Sequence, residues 1–383
     1  MNLFNSFWMA GFECSDQMNA FGNRVDLLKK TGHIEYIRED YSRLYDLNIS
    51  TVREGIRWSV VEKSPFQYDW TDVIVQLEAA KEMNIQIVWD MCHFGYPDDL
   101  TPLHPKFAQR FAALCRAFVE LFRVYNPHEP LIITPINEVS FISWLGGDVK
   151  GTVPYCINYG WEVKYALMKA YIEGCAAIKS TDANAHILIT EPLINIAPSC
   201  NEQYLDDCKI KNDEQFQVLD MLTGRICAEL GGREEYLDIL GFNYYSNNQW
   251  RYPEQEFICW KTQDAEMGWR PFHEMVAEAW ARYDRPFIIA ETSHPQEDRP
   301  LWMSYIVEES REMIKADLPL SGICLYPIID RPDWDHTDIW HKSGVWDIYD
   351  TQSLARTLHK PTFDAILAGQ KQIQELQETF IHI

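Results

Sequence analysis

Basic residues are scarce in this sequence. Its 383 residues include 34 Lys and Arg against 57 Asp and Glu, which gives a formal net charge of −23. Nucleic acids and anionic membrane surfaces attract clustered Lys and Arg, so the acidic balance argues against both as partners. No apolar run approaches the roughly 20 residues that cross a bilayer, so no membrane span is predicted.

Several sequence motifs that are typical of particular enzyme classes are also absent. The ten cysteines are scattered without a Cys-x-x-Cys pair and are expected to be reduced core residues. Met1–Ser6 has no basic n-region and no cleavage pattern, so we expect a cytoplasmic protein without a secretory signal. The sequence contains no Gly-x-Ser-x-Gly, no His-Glu-x-x-His and no phosphate loop, which removes the usual sequence support for those enzyme classes.

Eight short apolar runs recur along the chain. Each is nearly continuous, as expected of a strand that is buried on both faces in a parallel sheet. The runs are Phe4–Ala10, Ile49–Arg53, Ile85–Met91, Leu131–Ile136, His186–Thr190, Tyr236–Phe242, Pro286–Ala290 and Gly322–Tyr326.

Amphipathic helical stretches lie between these runs. They are Asp72–Met83, Pro105–Val124, Trp161–Ser180, Glu214–Glu229, Pro271–Arg282, Trp302–Lys315 and Pro361–Thr379. An eightfold alternation of strand and helix predicts an α/β protein with one (β/α)₈ TIM barrel over residues 1–383. A doubly wound sheet is the alternative, but it usually carries a Gly-rich loop after its first strand. The segments after strands 4, 6 and 8 are long, which is typical of functional loops.

Polar side chains follow the predicted strands where each strand ends. Glu138 follows the fourth strand and Glu291 follows the seventh. In a (β/α)₈ barrel the carboxyl ends of the strands meet at one rim, where catalytic residues lie. Other polar or aromatic residues near strand ends are Arg53, His93, Asn137, Asn243, Tyr244, Tyr245, Asp330, Asp333 and Trp334.

Two carboxyl groups that face each other across a barrel mouth suit glycoside hydrolysis. One protonates the leaving oxygen, and the other attacks or stabilises the anomeric carbon. Each Glu could instead be a solvated loop residue, but the placement of both at strand ends argues against this. A retaining mechanism predicts a carboxyl separation of about 5–5.5 Å, and an inverting one predicts more than roughly 6.5 Å.

Pro135-Ile136-Asn137-Glu138 resembles the Thr-x-Asn-Glu-Pro acid/base motif of family 1 glycoside hydrolases, a β-glucosidase-like family of (β/α)₈ barrels. Further motifs resemble those of the same family, in the same order, over nearly the whole chain. They are Cys14-Ser15-Asp16-Gln17, Arg53-Glu54-Gly55-Ile56-Arg57-Trp58, His93-Phe94-Gly95-Tyr96-Pro97, Asp238-Ile239-Leu240-Gly241-Phe242-Asn243-Tyr244-Tyr245, and Tyr326 to Trp334.

The resemblance implies roles for the matching residues. Glu138 would be the general acid/base, and Glu291 would be the nucleophile. Asn137 would bind the sugar 2-hydroxyl. Tyr245 would donate a hydrogen bond to the nucleophile, and Arg53 would help to keep it ionised. The other implied substrate contacts are Gln17, His93, Asn243, Tyr326, Asp333 and Trp334.

The chain departs from the family pattern at several of these positions. Pro135 and Val139 replace the Thr and Pro of the acid/base motif, and Glu291-Thr292-Ser293 stands where the family has Glu-Asn-Gly. Tyr326 replaces a Trp, and Asp333 replaces a Glu that grips two sugar hydroxyls. Because Asp is one methylene shorter than Glu, the identity of the sugar stays open.

The sequence therefore predicts a retaining, exo-acting β-glycosidase that works through a covalent glycosyl-enzyme. Its partner would be a small β-glycoside or oligosaccharide. The acidic and His residues of 333–341 match no zinc or calcium spacing, so neither a metal nor another cofactor is expected. Two alternatives remain open: a transglycosylase with the same carboxylate pair, and a catalytically weak barrel that binds glycans.

Overall fold

Eight parallel strands form a closed barrel in the computed structural model. They are β1 (Trp8–Gly11), β2 (Thr51–Gly55), β3 (Gln86–Asp90), β4 (Ile132–Thr134), β5 (His186–Pro192), β6 (Ile239–Asn243), β7 (Phe287–Thr292) and β8 (Leu320–Leu325). Each strand pairs with its neighbours along the chain, and β8 pairs with β1 to close the ring. The predicted (β/α)₈ barrel is therefore confirmed.

The structure describes residues 3–199 and 202–381. Met1 and Asn2 of the predicted leaderless start, and Cys200 among the cysteines, lie outside the described residues. Within them, no helix is long and apolar enough to cross a membrane.

One helix packs outside the barrel after each strand. These helices are α1 (Ile37–Leu44), α2 (Thr71–Glu82), α3 (Phe107–Tyr125), α4 (Gly160–Thr181), α5 (Gln217–Leu222), α6 (Phe272–Tyr283), α7 (Arg299–Lys315) and α8 (Lys360–Ile381). Shorter α-helices are Leu27–Thr31, Trp58–Val61, Val139–Ser143 and Leu205–Glu214, and Trp144–Asp148 forms a π-helical turn. Single 3₁₀ turns are Tyr45–Leu47, Glu202–Tyr204, Ala228–Leu230, Glu234–Tyr236, Ala265–Met267 and Gln296–Asp298.

Small sheets form in the loops that connect strands to helices. Glu62–Ser64 pairs with Gln67–Tyr68, and Trp346–Ile348 pairs with Arg356–Leu358. A three-stranded sheet contains Asn195–Pro198, Gln249–Tyr252 and Glu256–Phe257. The first of these sheets lies in the connection after β2, and the other two lie in the long loops over 193–216, 244–271 and 326–359. Of these three loops, the sequence pointed only to the second and third.

The predicted helix Glu214–Glu229 contains a real helix, α5, but its predicted bounds are too wide. α5 ends at Leu222, because Gly224 turns the chain with a φ of +76°. A Cβ on Gly224 would lie 2.5 Å from the carbonyl oxygen of Gly232, so the turn is also tightly packed. The sequence reading also missed α1, which follows β1. All eight apolar runs, in contrast, overlap a barrel strand.

Alternation along each strand separates an inner face from an outer face. Val52 packs outward under the helices, whereas Arg53, the next residue, points into the barrel. Apolar side chains fill the interior below Arg53, as in other filled barrels. They include Met9, Val88, Ile132, Leu188, Ile239, Ile288, Ala290 and Cys324. The interior thus changes from apolar to polar toward the carboxyl ends of the strands.

A buried charged network lies outside β2. Oε1 of Glu54 accepts hydrogen bonds from Nε2 of His33 at 2.9 Å and from the hydroxyl of Tyr41 at 2.8 Å. Oδ2 of Asp40 lies 2.9 Å from Nδ1 of His33 and 2.7 Å from Nη2 of Arg356. Both ring nitrogens of His33 face carboxylates, so the imidazolium form fits. The network joins α1, β2 and the hairpin before α8.

This network predicts a pH-dependent stability. Burial lowers the pKa of His33, but Glu54 and Asp40 outweigh it and raise the pKa to about 9. The stabilisation is therefore complete below about pH 6.5, the unfolded pKa, and is lost as the pH rises through about 9. The wild-type advantage over His33→Gln in unfolding free energy should shrink by about 3 kcal/mol between about pH 6 and pH 10.

Urea unfolding across this pH range measures the difference. His128→Gln, at an exposed histidine, is the matched control and should follow the wild type at every pH. A difference between wild type and His33→Gln that stays constant with pH would contradict the assignment of a charged His33.

Candidate active site

The carboxyl ends of the barrel strands carry a cluster of buried polar side chains. Eight of the site residues predicted from the sequence contact one another there. They are Arg53 on β2, His93 after β3, Asn137 and Glu138 after β4, Asn243 on β6, Tyr245 after β6, Glu291 on β7, and Tyr326 after β8.

Arg53 lies at the centre of this cluster and is 2% exposed. Its Nε and Nη2 donate to the two carboxylate oxygens of Asp90 at 3.1 and 2.8 Å. Nη1 donates to Glu291 at 2.7 Å and to the carbonyl of Ala290 at 3.1 Å, and Nη2 also donates to Asn137 at 2.9 Å. All five N–H donors of the guanidinium are therefore satisfied, and they fix the orientation of both neighbouring carboxylates.

Glu291 is aimed into the barrel mouth by an irregularity in β7. Ala290 already points into the interior, so strict alternation would turn Glu291 outward. The register of β7 shifts between Ile289 and Glu291, as in a β-bulge, and this re-aims the side chain. Its Oε1 then meets Nη1 of Arg53, and its Oε2 accepts the hydroxyl of Tyr245 at 2.9 Å.

Glu138 has a different environment. Its backbone is left-handed, with a φ of +46°, directly before the helix Val139–Ser143. Such a conformation is strained for Glu and is found at functional sites. Oε1 accepts a hydrogen bond from Nδ2 of Asn243 at 2.9 Å. Burial, followed by the negative charge of Glu291, raises the pKa of Glu138 to about 8.

Asn137 connects the central arginine to His93. Its Oδ1 accepts from Arg53 at 2.9 Å and from the hydroxyl of Thr190 at 2.7 Å, which orients the amide. Nδ2 therefore points at Nε2 of His93, 3.2 Å away, and Nδ1 of the same ring lies 2.9 Å from Asp90. Asn137 and His93 are thus held rigidly before any ligand binds.

Tyr326 packs against His93 and Arg53. Its ring stacks on His93 with an interplanar angle of 2° and lies 5.1 Å from the guanidinium carbon of Arg53. The ring fits because position 11 is glycine: a Cβ on Gly11 would lie 1.9 Å from the tyrosine ring. Gln17 is also buried, and its Oε1 has no hydrogen-bond partner among the described residues.

Trp334 and Asp333 belong to the loop 326–359 and are placed differently. The ring of Trp334 lies 5.6 Å from that of Phe94, and its indole N–H finds no hydrogen-bond acceptor within residues 3–199 and 202–381. Asp333 binds Nε2 of His341 at 3.0 Å and accepts the backbone N–H of Asp335 at 2.8 Å. Among the described residues, the carboxylate of Asp333 has no hydrogen bond outside this loop. The oxygens of Asp333 are thus engaged within its own loop, and its predicted contact with a sugar stays a prediction.

Sequence reasoning missed three buried acids at the same rim. Asp90 ends β3, Glu191 is the next-to-last residue of β5, and Glu13 follows β1 by two residues. Glu13 lies 3.7 Å from His93 and 3.6 Å from Arg331. A polar residue at a strand end was the available signal for all three. The signal is weak, because Asp90 lies inside the apolar run Ile85–Met91, and Glu13 and Glu191 belong to none of the motifs that resemble the family.

Cys14, Asp90 and His93 place possible metal-ligand atoms within 4.8 Å of one another. Their chemistry does not fit a metal ion. Both oxygens of Asp90 are engaged by the positive Arg53, and burial raises the pKa of the Cys14 thiol to about 11. A cation here would replace interactions that are already complete.

Comparisons with known proteins identify the fold. No family model and no curated protein sequence matches the chain. A family 1 β-glucosidase from Thermotoga maritima matches with a TM-score of 0.72 and 15% identity, over 89% of this chain and 86% of that chain. A β-glucosidase from the same organism in complex with glucoimidazole matches with the same score and identity, over 89% and 87%.

A third solved structure, the β-glycosidase BGL167, matches over 97% of both chains, with a TM-score of 0.72 and 15% identity. The chain has the fold of these enzymes. At this identity the similarity establishes the (β/α)₈ barrel and leaves the chemistry to be argued from the residues.

The central role of Arg53 predicts a large cost for its removal. Arg53→Met leaves Asp90 and Glu291 buried without their cation, so the free energy of unfolding should fall by about 3–5 kcal/mol. Urea unfolding near neutral pH measures it. Arg38→Met, which breaks an exposed pair with Glu82, is the control and should cost less than about 1 kcal/mol. Equal costs for the two variants would contradict the central role.

Proposed function

We propose that this protein is a retaining, exo-acting β-glycosidase with Glu291 as nucleophile and Glu138 as general acid and base. The contrast between the two carboxyl groups carries the proposal. Glu291 is paired with the cation of Arg53 and with the hydroxyl of Tyr245, as suits an ionised nucleophile. Glu138 has a raised pKa beside a neutral amide, as suits a proton donor.

In the first step, a carboxylate oxygen of Glu291 attacks the anomeric carbon. Glu138 gives its proton to the glycosidic oxygen as the bond to the leaving group breaks, and a glycosyl ester forms on Glu291. Asn137, fixed by Arg53 and Thr190, is the group that we propose to bind the sugar 2-hydroxyl. Hydrogen bonds to that hydroxyl strengthen in the transition state.

In the second step, water replaces the leaving group. Esterification removes the negative charge of Glu291, which is one of the causes that raise the pKa of Glu138. The pKa of Glu138 then falls, so its carboxylate can take a proton from water. The water oxygen attacks the anomeric carbon, and Glu291 leaves as a carboxylate. An alcohol in place of water would give transglycosylation.

Exo action is supported by the way in which the rim loops are tied. Nδ2 of Asn19 donates to the carbonyl of Trp334 at 3.1 Å, and the hydroxyl of Tyr155 donates to the carbonyl of Asn19 at 2.6 Å. These bonds join the loops after β1, β4 and β8 on the side where Gln17 and Trp334 lie. We propose that these bonds close one end of the site, so that it takes the terminal sugar of a small β-glycoside or oligosaccharide.

Single-residue variants test the carboxylate roles on p-nitrophenyl β-glycosides of glucose, galactose, mannose and fucose. Glu291→Gln should lower kcat/KM by at least about 10³-fold, because the nucleophile is lost. Glu138→Gln should lower kcat/KM similarly on p-nitrophenyl glycosides. The same variant should keep much of its activity on dinitrophenyl glycosides, whose leaving group needs no acid.

The matched control for both variants is Glu309→Gln on α7, another buried glutamate, which should retain full activity. If the folded wild type turns over none of these sugars, the hydrolase proposal is contradicted in favour of a glycan-binding barrel. Transfer of the sugar to added alcohols at the expense of water would instead identify a transglycosylase.

The raised pKa of Glu138 predicts the alkaline limb of the pH profile. The acid must be protonated, so kcat/KM should hold below about pH 8 and fall tenfold per unit above it. Profiles with p-nitrophenyl and dinitrophenyl glycosides of the same sugar measure this. The limb should weaken or vanish for the dinitrophenyl substrate. An identical limb for both substrates would mean that another group titrates.

A further inference from the structure

Glu191 is a buried carboxyl group beside Glu138 that neither step of the proposed reaction uses. It is 4% exposed and lies near the carboxyl end of β5. Its Oε2 and Oε1 accept the backbone N–H of Ser140 at 3.1 and 3.4 Å. The preceding residue of β5, Thr190, accepts the backbone N–H of Glu138 through its carbonyl at 2.9 Å. Two consecutive residues of β5 therefore hold the turn that carries Glu138.

This support acts on a strained segment. Glu138 has a left-handed backbone, which a glutamate keeps only when its surroundings enforce it. The contact with Ser140 fixes the chain two residues after Glu138, and the contact through Thr190 fixes Glu138 itself. Rotation about this turn would swing the Glu138 carboxyl away from Asn243 and from the reacting oxygen.

Glu191 also faces a defined set of charged groups. It interacts electrostatically with Glu138, which in turn interacts with Glu291 and His93. From α4, Lys164 and Tyr171 also interact electrostatically with Glu191. The Nζ of Lys164 donates to Gln217 at 2.8 Å, and its further charged neighbours are Glu214 and Asp148.

We propose that Glu191 is a positioning residue for Glu138, whose carboxylate fixes the turn and places a negative charge beside the acid. The inference rests on the proposed function of Glu138. Burial raises the pKa of Glu191, and the charge of Glu191 is one of the causes that raise the pKa of Glu138. The ionised form of Glu191 thus helps Glu138 to keep its proton.

Two variants separate position from charge. Glu191→Gln keeps an oxygen that can accept the Ser140 N–H but removes the charge, so kcat at the pH optimum should change little. Glu191→Ala removes both, and kcat should fall by about tenfold, with KM changing much less, because the acid is misplaced. The turnover lost in Glu191→Ala should be restored in Glu191→Gln.

The decisive readout is the titration midpoint of the Glu138 carboxyl, followed by ¹³C NMR of glutamate-labelled protein. The Glu138 signal is assigned by its loss in Glu138→Gln. In Glu191→Gln the midpoint should drop by roughly 0.5–1 pH unit, and the alkaline limb of kcat/KM should move with it. Glu309→Gln is the control, because Glu309 likewise accepts a helix N–H, that of His273, at 2.8 Å. Glu309→Gln should change neither the Glu138 midpoint nor the alkaline limb of kcat/KM.

An unchanged Glu138 midpoint in Glu191→Gln, or an unchanged kcat in Glu191→Ala, would overturn the inference. The NMR titration needs no turnover, so failure of the proposed function can be distinguished from failure of the inference about Glu191. If the wild type hydrolyses no glycoside but the Glu138 midpoint is still lower in Glu191→Gln, the linkage between Glu191 and Glu138 holds and the glycosidase proposal fails.

Discussion

The site depends on one guanidinium. Arg53 is buried among three polar strand ends, and every one of its donors reaches a partner from another part of the rim. Its charge offsets two buried carboxylates, Asp90 and Glu291, whose burial without a cation would be costly. The same side chain orients Asn137. Arg53 therefore connects the strand ends, balances the buried negative charge and orients the polar side chains of the site.

The chemistry that we propose follows from the different environments of two glutamates, Glu291 and Glu138. Glu291 shares the cation of Arg53 and the hydroxyl of Tyr245, whereas Glu138 receives a neutral hydrogen bond from Asn243 in a buried place. Their mutual repulsion adds to this difference, because one charge raises the pKa of the other. Acid and nucleophile are thereby assigned by environment, since the two side chains are chemically identical.

Much of this arrangement could be predicted from the sequence. The eight barrel strands are buried on both faces, so their apolar runs were readable, and the residues after them identified Arg53, Glu138 and Glu291. Features that depend on contacts between distant parts of the chain could not be predicted from the sequence. The bulge that re-aims Glu291 depends on pairing with both neighbouring strands, and the end of α5 depends on a contact between Gly224 and Gly232.

The acids at the rim show a second limit of the sequence. Asp90 and Glu191 look like ordinary strand-end residues until the partners that face them are known, because those partners come from other strands and from α4. Asp333 shows the reverse case. Its position matched a substrate contact, yet its oxygens are engaged within its own loop by His341 and by backbone N–H groups. Loop conformation decides such contacts, and one sequence does not determine it.

The most direct test of the account is the stereochemistry of the sugar that is first released. Proton NMR of an aryl β-glycoside during hydrolysis distinguishes the two anomers before they equilibrate. A double displacement through Glu291 predicts that the β-anomer is released first and that the α-anomer grows in later. Initial release of the α-anomer would show a single displacement by water and would contradict Glu291 as the nucleophile.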